Sequence, residues 1–131
     1  MPVSIYWDND EKTILVEKFD GHWTIEEYYR LVDTDAEWLG QVPHMVHVIY
    51  DATTSSMPPR QIFSGIQYAL KKLPPNQGLT VFVKLNRVMT MFVDVASQIS
   101  PRFARTHYYA ETIEEARRII AYKSGELKVG H

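Results

Sequence analysis

The sequence predicts an α/β fold, in which an N-terminal β-hairpin is followed by alternating helices and strands. The expected sheet is mostly parallel and five-stranded, with about four helices. Two short β-rich runs come first, Ser4–Trp7 and Thr13–Phe19, and the polar cluster Asp8–Glu11 between them favours a turn. Strand-like and helical patterns then alternate to the end of the chain, which is typical of parallel strands joined by right-handed crossovers.

The composition is that of one globular domain. The chain has 131 residues, of which 45% are hydrophobic, enough to bury a core and too many for a disordered chain. A formal net charge of −2 gives no long-range attraction to nucleic acid or to an anionic membrane. We expect a single domain over residues 1–124 and a flexible C-terminal tail over residues 125–131.

Several classes of protein are excluded by what the sequence lacks. Cysteine is absent, so there are no disulfides, no thiolate catalysis and no cysteine-based zinc sites. The first residues carry neither the basic region nor the apolar run of a signal peptide. No apolar stretch approaches the roughly 18 residues that a membrane-spanning helix needs. We expect a cytoplasmic protein with no membrane span, no nucleic-acid partner and no cofactor.

A strong helix start follows the hairpin. Thr24 precedes Glu27 by three residues, which forms a capping box: the threonine hydroxyl accepts a backbone N–H and the glutamate reaches back. The apolar stripe that follows has helical spacing and ends at about Leu39. Gly40 then supplies a C-terminal stop.

The next segment predicts one buried strand and then an edge of the sheet. The apolar run Val46–Tyr50 is expected to stop at Asp51, where a hydroxyl-rich loop, Ala52–Met57, begins. Two prolines then open a helix, predicted from Pro59 to Lys72. In open α/β sheets, ligands and partners usually bind at the edge where strands end and helices begin.

The rest of the chain continues the alternation. The run Leu79–Lys84 is rich in β-forming residues throughout, as interior parallel strands are. The elements predicted after it are helix Arg87–Ile99, capped by Asn86 and ended by Pro101, strand Thr106–Tyr109, and a final helix from Thr112 to about Lys123.

This order of elements, with a central strand that ends Val48-Ile49-Tyr50-Asp51, resembles the STAS domain of anti-sigma-factor antagonists. It is more closely similar to small bacterial proteins classed as STAS-like, whose early segment often looks like Phe19–Glu27 of this chain. The resemblance covers roughly residues 3–122. It implies a non-enzymatic regulatory domain that binds a protein partner or a second copy of itself as a homodimer.

The antagonists of this family carry a phosphorylation switch. In them the matching strand ends Asp-Leu-Ser, and an Asp-Ser-Ser-Gly segment then starts the next helix, where a partner kinase phosphorylates the second serine. Here Asp51-Ala52-Thr53 matches the strand end, and ungapped matching puts Pro59–Ile62 where the second motif belongs. No serine stands there. Ser55 and Ser56 precede the predicted helix, and they replace the missing phosphorylation site only if the matching slips along the chain. This departure from the family pattern predicts a domain without the phosphoserine switch.

The segment Asp51–Arg60 is the predicted partner- or ligand-binding surface. Its candidate side chains are Asp51, Thr53, Thr54, Ser55, Ser56 and Arg60. Asp51 either holds a ligand or, in the favoured interpretation, closes an Asx-type turn by accepting N–H groups two or three residues ahead. The four hydroxyls precede a helix N-terminus, which can bind an anion. The segment lacks the glycines that wrap a phosphate, so a solvated loop is favoured.

The helix Arg87–Ile99 has a wider apolar arc than one buried face requires. Its predicted core stripe is Val88, Phe92, Val95, Ala96 and Ile99. Met89, Met91 and Val93 fall beside and beyond this stripe. Either the helix packs deeply, or its outer edge is a homodimer contact or the wall of an apolar pocket. The pocket fits an alternative function, a carrier or sensor of a small apolar ligand between sheet and helices.

The sequence predicts neither a metal site nor a catalytic one. His44 and His47 are the closest histidine pair, but residues three apart in a strand point to opposite faces, so the two rings do not chelate one ion. Catalytic triads are recognised by geometry, and no Ser/His/Asp set stands out along the chain. We therefore expect a protein that is not an enzyme.

Overall fold

A computed structural model describes residues 2–130 of the chain, with side chains through residue 125. In this part of the chain one sheet is flanked by helices. The strands are β1 (Val3–Trp7), β2 (Ile14–Gly21), β3 (Val46–Ser55), β4 (Gln77–Val83) and β5 (His107–Ala110). The helices are α1 (Ile25–Gly40), α2 (Ile62–Lys71), α3 (Arg87–Ile99), α4 (Pro101–Thr106) and α5 (Ile113–Gly130).

The strands lie in the sheet in the order of the sequence, β1-β2-β3-β4-β5. Strand β1 is antiparallel to β2, and the remaining neighbours are parallel. The predicted fold class, a hairpin followed by alternating helices and parallel strands, is therefore confirmed. Parallel neighbours need crossover helices, and these have to lie on the faces of the sheet.

Strand β3 is the centre of the sheet and is buried on both faces. All residues from Val46 to Ala52 are buried. Tyr50 belongs to the core cluster formed with helices α1–α4. Its neighbour Ile49 packs with Ile120 of α5. Because alternate residues of a strand point to opposite faces, helices cover the sheet on both sides.

Aromatic side chains fill much of the core under α1. Phe19 of β2 stacks on Tyr50 of β3, with ring centroids 4.2 Å apart. Trp23 lies 4.9 Å from Phe19 and 5.8 Å from Tyr28 of α1 by the same measure. Such ring pairs stabilise a core beyond the area they bury. This cluster fixes the start of α1 against the ends of β2 and β3.

The central strand is longer than the sequence predicted. It continues to Ser55, so the predicted loop at Ala52–Met57 is wrong for residues 52–55. The physical reason is the neighbouring strand: β2 runs on beside it, and Asp20 pairs with Thr54. Threonine also favours the extended backbone. The hydroxyl-rich segment is therefore mostly strand rather than loop.

The predicted caps are present at two helix starts. The Thr24 hydroxyl accepts the Glu27 N–H at 3.1 Å, and the Thr24 N–H donates to the Glu27 carboxylate at 2.9 Å. Asn86 caps α3 by accepting the Met89 N–H at 2.8 Å. These contacts confirm the predicted starts of α1 and α3.

Other helix boundaries differ from the prediction. Helix α2 begins at Ile62 rather than at Pro59, because Pro59 and the two residues after it form a turn in which the Ile62 N–H donates to the Pro59 carbonyl at 3.1 Å. Helix α4 was not predicted. Ser100 caps it by accepting the Phe103 N–H at 3.2 Å, and Pro101 occupies its first turn. The proline that ends α3 therefore also starts α4.

The last helix, α5, extends to Gly130, beyond the end predicted near Lys123. The flexible tail expected over residues 125–131 includes His131 and side chains that lie outside the described residues, so it stays a prediction. Within residues 2–130, no helix is long and apolar enough to cross a bilayer.

Helices α1 and α2 approach each other closely at Gly65. A Cβ atom built on Gly65 would stand 2.9 Å from Cδ2 of Tyr28 and 3.0 Å from Cδ1 of Ile25. Both of these side chains are buried, so neither has room to move away. The contact between α1 and α2 therefore requires a residue without a side chain at this position.

Replacing Gly65 by alanine is expected to lower the free energy of unfolding by about 1–3 kcal/mol, the usual effect of overpacking a core. The matched control is Gly40→Ala, because Gly40 also lies in a helix and its Cβ would meet nothing within 4 Å. Alanine favours a helix over glycine, so the control should be neutral or stabilising. Urea unfolding measures both variants. Equal stability of Gly65→Ala and the wild type would contradict the close contact.

Candidate functional site

The carboxyl end of β3 holds the predicted residue Asp51. Its buried carboxylate accepts two hydrogen bonds from Thr53, from the backbone N–H at 3.0 Å and from the hydroxyl at 2.6 Å. This is the Asx-type arrangement favoured from the sequence, formed here within the end of a strand. Asp51 thus organises the end of β3.

The other hydroxyls of the segment have different surroundings. Ser55 accepts a hydrogen bond from the Trp23 indole N–H at 2.9 Å and donates to the Ser56 carbonyl at 3.0 Å. Thr53 and Thr54 are exposed. The structure therefore brings Thr53 to Asp51 and ties Ser55 to the aromatic cluster, instead of gathering four hydroxyls at one point.

The first turn of α2 carries a serine that the sequence analysis missed. Because α2 begins at Ile62, its first turn is Ile62–Gly65, and Ser64 is exposed on it. The ungapped matching had considered Pro59–Ile62 as the start of this helix, and α2 begins only at the last of these residues. The signal in the sequence was the Ser-Gly pair at the start of an apolar helical pattern.

Helix α3 turns a different face to the core from the one predicted. Met89 and Val93 are only 6% and 4% exposed, so the prediction that they lie beyond the core stripe is wrong. Ile99, predicted to be in the stripe, is exposed, and so is Met91. The reason is the wide apolar arc: when apolar residues surround most of a helix, periodicity does not select between adjacent stripes. Packing against the neighbouring elements decides which stripe of α3 is buried.

Large apolar side chains are exposed beside Ser64. Phe63 is 41% exposed and its ring centroid lies 6.5 Å from that of Phe92, which joins the first turn of α2 to α3. Met91, next to Phe92, is 62% exposed. Met57, 58% exposed, lies in the segment that leads into α2. The exposed residues Met57, Arg60, Phe63, Ser64 and Met91, which lie on or just before α2 and on α3, are together named here the α2–α3 face.

A cavity of about 100 Å³ lies between the sheet and helices α1–α4. Each helix supplies apolar side chains to its wall: Leu31, Val32, Ile66, Met89, Val93 and Phe103. Met89 and Val93, which the sequence analysis named as a possible pocket wall, therefore both line it. The exposed residue Lys72, at the end of α2, marks the open end of the cavity.

Glu17 and Asp35 bring two buried carboxyl groups to this cavity. Burial raises the pKa of Glu17 well above its usual range, and the charge of Asp35 and a hydrogen bond to it raise that pKa further. Burial also raises the pKa of Asp35, to about 6, while the hydrogen bond with Glu17 lowers it. The pair therefore holds one proton at neutral pH, carried by Glu17 and donated to Asp35.

Two tyrosines complete the polar part of the cavity. Burial raises the pKa of Tyr50 and of Tyr28 above the usual range, and the neighbouring carboxyl groups add to the effect. Both hydroxyls therefore stay protonated. Among the side chains that the structure describes, the Tyr50 hydroxyl and Asp35 Oδ1 are buried with no hydrogen-bond partner. Buried polar atoms nearly always have a partner, so these two need an explanation.

The rim of the cavity is held by polar contacts. The Lys72 ammonium lies 2.8 Å from the Asp33 carboxylate, on the exposed side of α1. The Arg102 guanidinium donates to the backbone carbonyls of Pro74 and Gln77. These contacts fix the end of α2 and the start of β4 around the opening.

The side chains of the closest histidine pair, His44 and His47, contact backbone groups. His47 is buried and accepts the Leu79 N–H at 2.9 Å, while a ring nitrogen of His44 lies 2.8 Å from the Lys12 carbonyl oxygen. In the described part of the chain, no group of three His, Asp or Glu side chains is arranged to hold a metal ion.

Two solved structures share the fold of this chain. One is a protein of the DUF3478 family with a SpoIIAA-like fold from Shewanella loihica PV-4, similar with a TM-score of 0.63 at 14% identity over 88% of this chain and 89% of that chain. The other is the anti-sigma factor antagonist SpoIIAA in its unphosphorylated form, with a TM-score of 0.60 at 14% identity over 93% of this chain and 96% of that chain. The chain folds as a STAS-like domain. No protein-family model and no curated protein sequence matches it.

The STAS-like fold gives the position of Ser64 a meaning. Ser64 lies on the first turn of the helix that follows the central strand, the place where the family resemblance implied a serine motif. Gly65 follows it and packs tightly against Tyr28, so the helix start of this STAS-like domain is fixed against α1.

Replacing Asp35 by asparagine is expected to remove part of the pH dependence of stability. Folding raises the pKa of Asp35 to about 6, so the folded state binds more protons than the unfolded state above about pH 4. Stability is therefore highest below the unfolded pKa and falls as pH rises through the folded pKa. The loss from this group is on the order of 3 kcal/mol by pH 7. Asp35→Asn should gain stability relative to the wild type over the same window.

Asp33→Asn on the same helix is the control. A hydrogen bond from Lys72 lowers the pKa of Asp33, so its contribution is present above the unfolded pKa and lost as pH falls. Between about pH 4.5 and about pH 7.5 that contribution is constant, so Asp33→Asn should change the free energy of unfolding by nearly the same amount at both pH values. Urea unfolding at about pH 4.5 and about pH 7.5 compares the two. A stability difference between Asp35→Asn and the wild type that stays constant with pH would contradict the shared proton.

Proposed function

We propose that this STAS-like domain is a non-enzymatic, cytoplasmic regulatory module that binds a protein partner, or a second copy of itself, through the α2–α3 face. The observation that supports the proposal is the exposure of Phe63 and Met91 on this face, with Met57 beside them. Large apolar side chains that remain together in water mark binding surfaces. Methionine suits such a surface because it adapts its shape to the partner.

The charges near this face indicate the kind of partner. Arg60 is exposed before α2, and Arg87 is exposed one turn before Met91 on the same side of α3. An apolar centre with arginines at its margin suits a protein that offers an apolar anchor surrounded by acidic residues. SpoIIAA, which shares the fold, is an anti-sigma factor antagonist, a protein that acts in regulation.

Ser64 gives the α2–α3 face a place for control. Phosphorylation would add a charge of about −1.5 to −2 next to Phe63. The N-terminus of α2 favours a negative charge there through its dipole, while the same charge opposes an apolar contact. We therefore propose Ser64 as the residue whose phosphorylation releases the partner. The alternatives to Ser64 are the prediction from the sequence, a domain without the family switch, and phosphorylation at Ser55 or Ser56.

Charged substitutions on the α2–α3 face are expected to abolish partner binding. Phe63→Glu and Met91→Glu should each weaken retention of the partner or the second copy at least about tenfold, since apolar anchors dominate binding. Tyr122→Glu is the control, because Tyr122 is exposed on α5, outside this face. Native mass spectrometry of the chain purified from producing cells gives the bound species. A bare wild-type monomer, or unchanged binding by both variants, would overturn the proposal.

The phosphorylated residue can be read from two separate tryptic peptides. Residues 61–71 contain Ser64 as their single serine or threonine, whereas Ser55 and Ser56 lie on the preceding peptide, residues 31–60. Mass spectrometry of the chain from producing cells is expected to find the phosphate on residues 61–71, and Ser64→Ala should remove it. A phosphate on residues 31–60 alone, or on neither peptide, would count against Ser64.

A second candidate function is a carrier or sensor of a small ligand with a large apolar part. The cavity between the sheet and helices α1–α4 supports it, because its wall is mostly apolar and it opens beside Lys72. Ligand sites are typically apolar recesses with a few placed polar groups. The two candidate functions use different parts of the domain, so each is testable without the other.

A further inference from the structure

The cavity combines an apolar wall with two buried polar atoms that lack partners. The residues that bear these atoms, Asp35 and Tyr50, are only 8% and 7% exposed, and both line the cavity. Asp35 Oδ1 accepts no hydrogen bond, and the Tyr50 hydroxyl neither donates nor accepts one among the described residues. The cavity wall thus includes two residues whose polar atoms lack a partner within the described part of the chain.

A purely structural role does not account for these groups. Burying a polar atom without a partner destabilises a protein by about 1–3 kcal/mol, and a charged one by more. Other buried polar side chains of the sheet have partners: Asp51 accepts from Thr53, and the Thr80 hydroxyl accepts from the Gln77 amide at 2.9 Å. The fold thus satisfies such groups where they serve structure alone. Asp35 Oδ1 and the Tyr50 hydroxyl, which have no such partner, are the exception, and we take them to indicate a ligand.

The charge in the cavity selects the ligand's polar group. The titratable side chains that line it are Glu17, Tyr28, Asp35, Tyr50 and Lys72. Both tyrosines stay neutral, and the Lys72 charge is compensated by Asp33 at the rim. Glu17 and Asp35 together hold one proton and one negative charge at neutral pH. A cation that donates hydrogen bonds is the complement of this arrangement.

We propose that the cavity binds a small primary amine, whose ammonium group donates hydrogen bonds to Asp35 Oδ1 and to the Tyr50 hydroxyl oxygen, with its apolar body against Ile66, Met89 and Val93. This inference rests on the carrier or sensor function and names the chemistry of its ligand. An ammonium has several donors, so in this proposal it offers one to Asp35 Oδ1 and another to the Tyr50 hydroxyl. An alcohol supplies only one donor and no charge, and a carboxylate is repelled by the pair.

The size of the cavity limits the part of the ligand that it encloses. Its volume is about 100 Å³. An apolar cavity of about 150 Å³ accommodates benzene. The enclosed part is therefore smaller than a benzene ring, and a longer body would extend past Lys72 into solvent. This limit makes n-butylamine a suitable probe for the site.

The test compares three probes of equal chain length, n-butylamine, 1-butanol and butyrate, by NMR titration of the full chain at about pH 7.5. We expect n-butylamine to bind at least about tenfold more tightly than 1-butanol, as a charge-assisted hydrogen bond implies, and butyrate not to bind. Shifted amide signals should come from residues that line the cavity.

Two further measurements separate the polar contacts from the apolar wall. Asp35→Asn and Tyr50→Phe should weaken n-butylamine binding about tenfold and change 1-butanol binding less than about threefold. Glu37→Gln, which removes an exposed carboxylate of α1 outside the cavity wall, is the matched control and should leave both unchanged. The pH dependence of n-butylamine affinity can be measured on the wild type and needs no variant. At about pH 5 Asp35 is mostly protonated, so n-butylamine affinity should fall about tenfold while 1-butanol affinity stays constant.

The possible outcomes distinguish this inference from the function on which it rests. Equal binding of n-butylamine and 1-butanol with no pH dependence would overturn the amine and keep the carrier or sensor function. If butyrate binds more tightly than n-butylamine, the amine is likewise overturned and the carrier or sensor function is kept. If none of the three probes binds, both are overturned. An amine preference that Asp35→Asn or about pH 5 removes supports both.

Discussion

The burial of strand β3 on both faces is the constraint on which the rest of the structure depends. A central parallel strand has no side that faces water, so helices have to cover it above and below. Helices α1–α4 lie over one face and α5 over the other. Any polar side chain in the middle of β2, β3 or β4 is thereby carried into the interior, as Glu17, Asp51 and Thr80 are.

These three residues show how differently a buried polar group can be accommodated. Asp51 and Thr80 each have a partner close by in the chain, so they stabilise a strand end and a strand start. Glu17 instead meets Asp35, another acid, and one proton has to serve both. In a sequence that is otherwise consistent with its fold, a buried residue whose chemistry conflicts with its surroundings indicates a functional site. The buried polar groups of this domain therefore differ in whether a partner within the described chain satisfies them.

The sequence was sufficient for those features that depend on local chemistry. The capping box at Thr24 and the cap at Asn86 predicted where α1 and α3 begin, and the apolar runs predicted the strands. The end of β3 was missed because it depends on a distant partner, the residue Asp20 of β2. The face of α3 was missed because its apolar arc is too wide to select one stripe. Of the candidate sites, the sequence analysis named the pocket wall at Met89 and Val93, and Arg60 and Met91 of the α2–α3 face. The meeting of Glu17 with Asp35 depends on how α1 packs over β2.

Helix α5 contacts the turn between the first two strands, so residues that are far apart in the sequence meet there. Arg117 of α5 donates two hydrogen bonds, of 2.9 and 2.8 Å, to Asp8 in the turn between β1 and β2. Ile120 of the same helix covers Ile49 and Val81 of the central strands. Because α5 follows every strand in the sequence, the apolar face that it covers stays open until this helix has been synthesised and has packed. Before that point the paired strands expose a hydrophobic surface, and such surfaces promote aggregation.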